Sequence, residues 1–160
     1  MNTGKRFEQN FKKSVPADVF YYRFKDGTSN WEHNSVARFQ TSNICDCMLF
    51  DGNRLYLLEL KSIKGKSIPF SNLKRNNKDK RLEELLLTTY FKNIVAGIII
   101  EFSTLDRAFF MHINDITDFI RASDRKSIPL DYFKEKGIEI EVIKKRVNNG
   151  FNVKKLLLDI

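Results

Sequence analysis

The sequence predicts an α/β fold with a mixed central β-sheet flanked by helices. Three observations lead there. Two apolar runs, "CDCMLF" and "RLYLLELK", flank Asp51-Gly52-Asn53, whose Gly and Asn tolerate the positive φ of a tight turn, so the pair forms a hairpin. The run "IVAGIII" has no polar interruption, as in a central strand covered on both faces. Apolar residues at helical spacing, Phe7 with Phe11 and Leu82 with Leu85 and Leu86, supply covering helices.

The elements follow in order. Asn2 or Thr3 caps a helix running to about Lys13, which Val15-Pro16 ends. "DVFYYRFK" has the aromatic and β-branched content of a strand, and residues 26 to 43 form a polar stretch carrying Trp31 and Phe39. After the hairpin and a basic loop around Lys64 to Lys66, a helix occupies about 76 to 92. "IVAGIII" is followed by "RAFFMHI" as its neighbouring strand. Short helices start near Asn114 and near Ser127-Ile128-Pro129, and "IEIEVI" and "KKLLLDI" read as closing strands. No internal repeat or low-complexity segment stands out.

A chain of 160 residues suits one domain spanning 1–160, large enough to bury a core without disulfide or metal staples. Its 14 Phe against 3 Pro argue for a packed interior and against disorder. Cys45 and Cys47 are too close for an ordinary disulfide and lack the paired spacing of a zinc site, so both are expected reduced and buried, on the face opposite Asp46. The N-terminus has no signal-peptide run, and no segment reaches the ~18 apolar residues of a membrane span. That pattern predicts a cytoplasmic protein with no membrane partner.

Charge points to the partner. With 28 Lys and Arg against 20 Asp and Glu, the net charge is +8, a balance suited to polyanions. A merely soluble basic protein has the same total, but here the charge is clustered: Lys61 to Arg81 holds eight basic residues and one acid, and Lys144 to Lys155 five and none.

The chemistry lies in the hairpin. Alternation along "LYLLELKS" puts Glu59 and Lys61 on one face with Leu55 and Leu57, and Leu58 and Leu60 on the other. The turn sets Glu59 opposite position 45 or 46, so Asp46 and Glu59 can stand side by side. Two carboxylates with water and a backbone carbonyl offer the oxygen ligands that Mg²⁺ prefers, and a neighbouring ammonium stabilises charge on a phosphodiester under attack by water that the metal acidifies. Glu8, beside Phe7 on the first helix, is a candidate third acid. Each residue alone has a plainer reading: an isolated ExK is usually an exposed ion pair, Asp46 a strand-end residue, Glu8 a solvated helix position. His33 and His112 sit in no ligand spacing, and Trp31 and Phe39 suit base stacking and local packing equally.

The ordered set, a helix bearing Glu8, Asp46 in a strand, a tight turn and Glu59-Leu60-Lys61 thirteen residues after the Asp, resembles the PD-(D/E)xK nuclease core of restriction-endonuclease-like folds, with Cys45-Asp46 in place of Pro-Asp. Reading outward, "GKRFEQNFKKSVP", "CDCMLFDGNRLYLLELKSIKGKSIPFSNL" and the helix that follows resemble the RecU-type Holliday junction resolvases, particularly short phage-like forms. The likeness covers about the first two-thirds of the chain and continues through "IPLDYFKEKGIEI".

That resemblance implies a Mg²⁺-dependent endodeoxyribonuclease, with Mn²⁺ as a substitute, acting as a homodimer that nicks opposing strands of a four-way DNA junction in recombination and repair. Asp46 and Glu59 become metal ligands and Lys61 the transition-state stabiliser. The family's Gln in the next helix falls at Asn77, one methylene shorter, in the metal's outer shell. A Thr two positions before the aspartate in larger members is Ile44 here, whose side chain supplies no such contact. A stalk-like DNA-binding insertion corresponds to about 23–43. Phosphate contacts are expected from Lys5, Arg6, Arg23, Lys25, Arg38, Lys64, Lys66, Lys74 and Arg75. The alternatives are a PD-(D/E)xK nuclease of linear or other branched DNA and a catalytically inactive junction-binding protein.

Overall fold

The structure is a computed structural model that describes residues 3–24, 43–73, 80–146 and 148–160. Asn2, Lys25, Trp31, His33, Arg38, Phe39, Lys74, Arg75 and Asn77 lie outside the described residues, as does most of the proposed insertion.

Helix α1 (Thr3–Ser14) leads to strand β1 (Phe20–Arg23). The hairpin is β2 (Cys47–Phe50) and β3 (Leu55–Ile63), and β4 (Ser67–Pro69) follows. Next come α2 (Lys80–Thr88), β5 (Ile94–Phe102), β6 (Arg107–His112) and α3 (Ile113–Ala122). The chain closes with β7 (Ser127–Pro129), α4 (Leu130–Lys136), β8 (Ile138–Ile140), β9 (Val142–Lys144), β10 (Asn149–Phe151) and α5 (Val153–Asp159).

Six strands form one sheet in the order β1-β2-β3-β5-β6-β8. Only β3 and β5 run parallel within it, which makes the sheet mixed and requires the crossover that α2 supplies. Gly52 takes φ +95° in the hairpin turn, and Asp51 Oδ1 accepts the N–H groups of Asn53 and Arg54. Gly97 answers a packing need: a Cβ there would lie 2.4 Å from the Phe110 ring.

Two apolar layers sandwich the sheet. On one face α1 and α5 bring Phe7, Phe11, Leu156 and Leu157 onto Leu49, Tyr56, Leu58, Leu60 and Ile99. On the other, Leu82 and Leu85 of α2, Ile113 and Ile116 of α3, and Phe133 of α4 pack on Leu57, Ala96, Ile98 and Ile100. Burial of these side chains from water is the main force holding the layers together.

Four sequence expectations need correction. "KKLLLDI" is not a strand: Val153, Leu156 and Leu157 recur at helical spacing on the core, and the Asn152 side chain caps α5 by accepting the Lys155 N–H. Three consecutive leucines hid that period. The α2 helix stops at Thr88, short of residue 92; the hydroxyls of Thr88 and Thr89 donate to the carbonyls of Leu85 and Leu86, local bonds that compete with helix continuation.

The expectation of no internal repeat also fails: Ser127-Ile128-Pro129 forms strand β7, directly before the expected helix α4, which starts at Leu130 with Pro129 as its N-cap. Lys66-Ser67-Ile68-Pro69 and Lys126-Ser127-Ile128-Pro129 are identical and pair antiparallel about Ile68 and Ile128, both fully buried. The pairing is symmetric, since Phe70 N–H donates to Lys126 O and Leu130 N–H to Lys66 O, each 2.8 to 2.9 Å.

The fourth concerns the cysteines. Both are free and buried, but only Cys47 packs on the α1 face; Cys45, just before the strand, enters the layer on the Glu59 side.

Candidate active site

The site sits where the hairpin meets α2. Leu60 and Leu58 anchor β3 under α1, so the intervening Glu59 must point to the opposite face, where it is only 3% exposed. Asp46 directly precedes β2 and is held by three backbone-linked bonds. Its N–H donates to Leu58 O (3.1 Å), its carbonyl accepts the Phe24 N–H (3.0 Å), and its Oδ2 accepts the Leu60 N–H (2.8 Å). The register places Cys47 opposite Leu58, hence Asp46 beside Glu59, as the turn predicted.

Among the described residues two cations meet these acids. Lys61 Nζ lies 2.6 Å from Glu59 Oε1. Arg81, in the first turn of α2, puts Nη2 2.9 Å from Asp46 Oδ1 and 2.7 Å from Glu59 Oε2, while its Nε donates to Ile44 O at 3.4 Å. The contact to Asp46 is a hydrogen bond. The one to Glu59 is an ion pair only: Oε2 is buried and, among the described residues, has no aligned hydrogen-bond donor.

Burial pushes the Glu59 carboxyl up to about 7, and the neighbouring Asp46 charge pushes the same way; Lys61 and Arg81 oppose this without overcoming it. Burial, with Glu59 next, also raises the Cys45 thiol to about 12, so Cys45 is an apolar packing group there, its Sγ–H donating to Cys47 O.

The structure thus brings Asp46, Glu59 and Lys61 together. Glu8 is not joined to them directly: it pairs with Arg23 at 2.5 Å, and Arg23 stands opposite Cys47, one residue from Asp46. Lys5, Arg6, Arg23, Lys64 and Lys66 are all exposed. His112 packs edge-on against Phe110 outside the cluster, and burial lowers its pKa.

Sequence reasoning missed Arg81. It lay inside a run of eight basic residues, and its only distinguishing signal is that it precedes Leu82 and stands four residues before Leu85, on the helix edge nearest the sheet.

Two hard carboxylates, one of them buried and already holding a cation, suit a divalent ion with oxygen preference. No group of three His, Cys, Asp or Glu able to hold a metal occurs among the described residues, so the remaining positions would fall to backbone oxygen, water or DNA phosphate.

A mixed sheet carrying Asp, then ExK, across a tight hairpin defines a PD-(D/E)xK-type nuclease core. The model of one family, RecU (Recombination protein U), matches residues 9–151, and the chain belongs to that family. It is 32% identical over 169 residues to the SPbeta prophage-derived uncharacterized protein YotM of Bacillus subtilis (strain 168), an alignment covering 97% of this chain and 85% of that one. Among solved structures it is similar in fold to Hjc, a Holliday junction resolvase from the archaeal hyperthermophile Archaeoglobus fulgidus. There the TM-score is 0.54 at 15% identity, covering 85% of this chain and 95% of that one. With RecU membership goes the Holliday junction resolvase function, that of a metal-dependent endonuclease of DNA recombination that binds branched DNA. Among the described residues no helix is long and apolar enough to cross a membrane.

Proposed function

We propose that this resolvase cuts with Mg²⁺, Mn²⁺ substituting, held by Asp46 and Glu59, while Lys61 attends the scissile phosphate. The observation that carries the reading is the carboxylate pair gathered on a single cation beside an ammonium. A divalent ion bound there supplies Lewis-acid charge and acidifies water.

The chain's own groups do the rest. Asp46 is oriented by the Leu60 N–H on Oδ2, so its other oxygen, which accepts from Arg81, faces the shared site. Glu59 must shed its proton to bind a metal, which its raised pKa makes a real cost near neutrality. Lys61, partly exposed, can leave Glu59 for a phosphate oxygen and stabilise charge that grows in the transition state. Asn77 is proposed in the outer shell. Glu8 is proposed as a third acid that acts from the α1 side through Arg23.

The whole chain is proposed as one cytoplasmic nuclease domain. Because Arg23 and Cys47 are paired partners, the segment between them leaves and rejoins the sheet beside Asp46, which supports a stalk-like role for about 23–43 at the junction centre. Lys5, Arg6, Lys64 and Lys66, with Lys25, Arg38, Lys74 and Arg75, are proposed phosphate contacts, so added salt weakens binding steeply. Two opposing strands call for two equivalent sites, hence a homodimer. Exposed Phe20, Tyr22 and Phe50 on the sheet edge and Tyr90 and Phe91 after α2 offer the apolar surface a dimer would bury.

The test is a Mg²⁺ cleavage assay on a four-way junction and on a linear duplex of the same arms. Asp46→Asn and Lys61→Ala should bind the junction as the parent does and cut it slower by ~10²–10³-fold or more. Wild-type cutting by either variant would overturn the site. Equal cutting of junction and duplex would overturn the proposed paired nicking.

A further inference from the structure

Asp46 and Glu59 repel one another. The two acids are brought together by backbone register, so the fold cannot simply separate them. Lys61 relieves only Oε1 of Glu59. Among the described residues Arg81 alone spans both carboxylates, from a side chain that is 14% exposed.

Its fit is incomplete in a particular way. A guanidinium donates along fixed in-plane directions. Nη2 spends its aligned N–H on Asp46 and leaves Glu59 Oε2, 2.7 Å away, without a hydrogen bond. A spherical cation has no such restriction and can engage both oxygens at once. The third contact, Nε to Ile44 O at 3.4 Å, is long and weak, so among the described residues little besides the two carboxylates holds the guanidinium in place.

We propose that Arg81 is the resident cation of the divalent-metal site: its guanidinium holds Asp46 and Glu59 together while no metal is bound, and the metal binds by displacing it. Arg81 is therefore a positioning residue that acts through the two ligands. The proposal rests on Asp46 and Glu59 being the metal ligands. It follows that Arg81 lowers metal affinity in the absence of DNA, because every ion bound must release both of its ion pairs. A purely structural ion pair would have no such consequence, and a guanidinium that pre-organised the ligands would have the opposite one.

The test is Mn²⁺ titration of the full chain by calorimetry, without DNA. Arg81→Gln and Arg81→Met should each bind Mn²⁺ on the order of tenfold more tightly than wild type, one opposing charge having been removed at close range. Arg81→Lys, which keeps a cation, should stay near the wild-type value. In chelator, Arg81→Gln should melt at a lower temperature than wild type, and Mn²⁺ should close the gap. Unchanged or weaker Mn²⁺ binding by both Arg81→Gln and Arg81→Met, with folding verified by circular dichroism, overturns the displacement. Asp46→Asn separates the two levels: if it binds Mn²⁺ as wild type does, the ligand assignment itself fails; if it loses binding while the Arg81 variants match wild type, only the displacement fails.

Discussion

Strand β3 has two faces one residue apart, and they do opposite work. Tyr56, Leu58 and Leu60 lie under α1 and α5 in a layer of apolar packing. Leu55 and Leu57 begin the other face in the same manner, but Glu59 and Lys61 continue it, and there the cover is the first turn of α2, which contributes Arg81. The apolar face sets where the strand lies; the charged face inherits that rigidity. A site built this way is positioned by side chains that never touch it.

The comparison can be broken from either side. The largest stability effect belongs to the apolar face: Leu58→Ala should cost about 2–5 kcal/mol in denaturant unfolding, since Leu58 is essentially unexposed and a cavity would remain. Lys61→Ala, from a side chain 27% exposed, should leave the unfolding midpoint near wild type while abolishing cutting. If the two variants changed stability equally, the division of labour would be wrong.

The next effect is electrostatic. The Glu59 carboxyl titrates near 7 in the folded chain against an ordinary 4.5, so the folded state holds this proton more tightly than the unfolded state does. Its contribution to stability is fully present below about 4.5 and is lost as pH rises through about 7. Denaturant unfolding in chelator at pH 5 and pH 8 should show that fall in wild type relative to Glu59→Gln, which lacks the proton. Mg²⁺ affinity should run the other way and rise across the same window, with one proton released per ion bound. A pH-independent affinity would remove Glu59 from the ligand set.

The smallest effect concerns Glu8. Its pair with Arg23 is partly solvated, so Glu8→Gln should change stability by under about 1 kcal/mol. Because its ion pair is with Arg23 and not with Asp46, Glu59 or Lys61, its single-turnover cleavage should fall less than that of Asp46→Asn. An equal loss would put Glu8 among the direct ligands.

Much of this was legible in the chain. Gly52 and its neighbours dictated the hairpin, and the hairpin dictated that Asp46 meets Glu59, because strand register follows once the turn is known. The unbroken apolar run of β5 announced a strand covered on both faces. Local periodicity failed where it was masked. Leu156 and Leu157 belong to a helix whose exposed Leu158 made the run look uniform, and the two Lys-Ser-Ile-Pro segments are too short to signal that they pair.

The sequence by itself determined the two carboxylates, the lysine and their shared face, since alternation and turn chemistry act over a few residues. Only the tertiary structure decided which of many basic residues meets them. Arg81 reaches Asp46 from thirty-five positions away because α2 crosses from β3 to β5, and Cys45 turns toward Glu59 because the chain has not yet entered its strand. Long-range partners of this kind depend on packing between layers, and no local pattern in the chain encodes it.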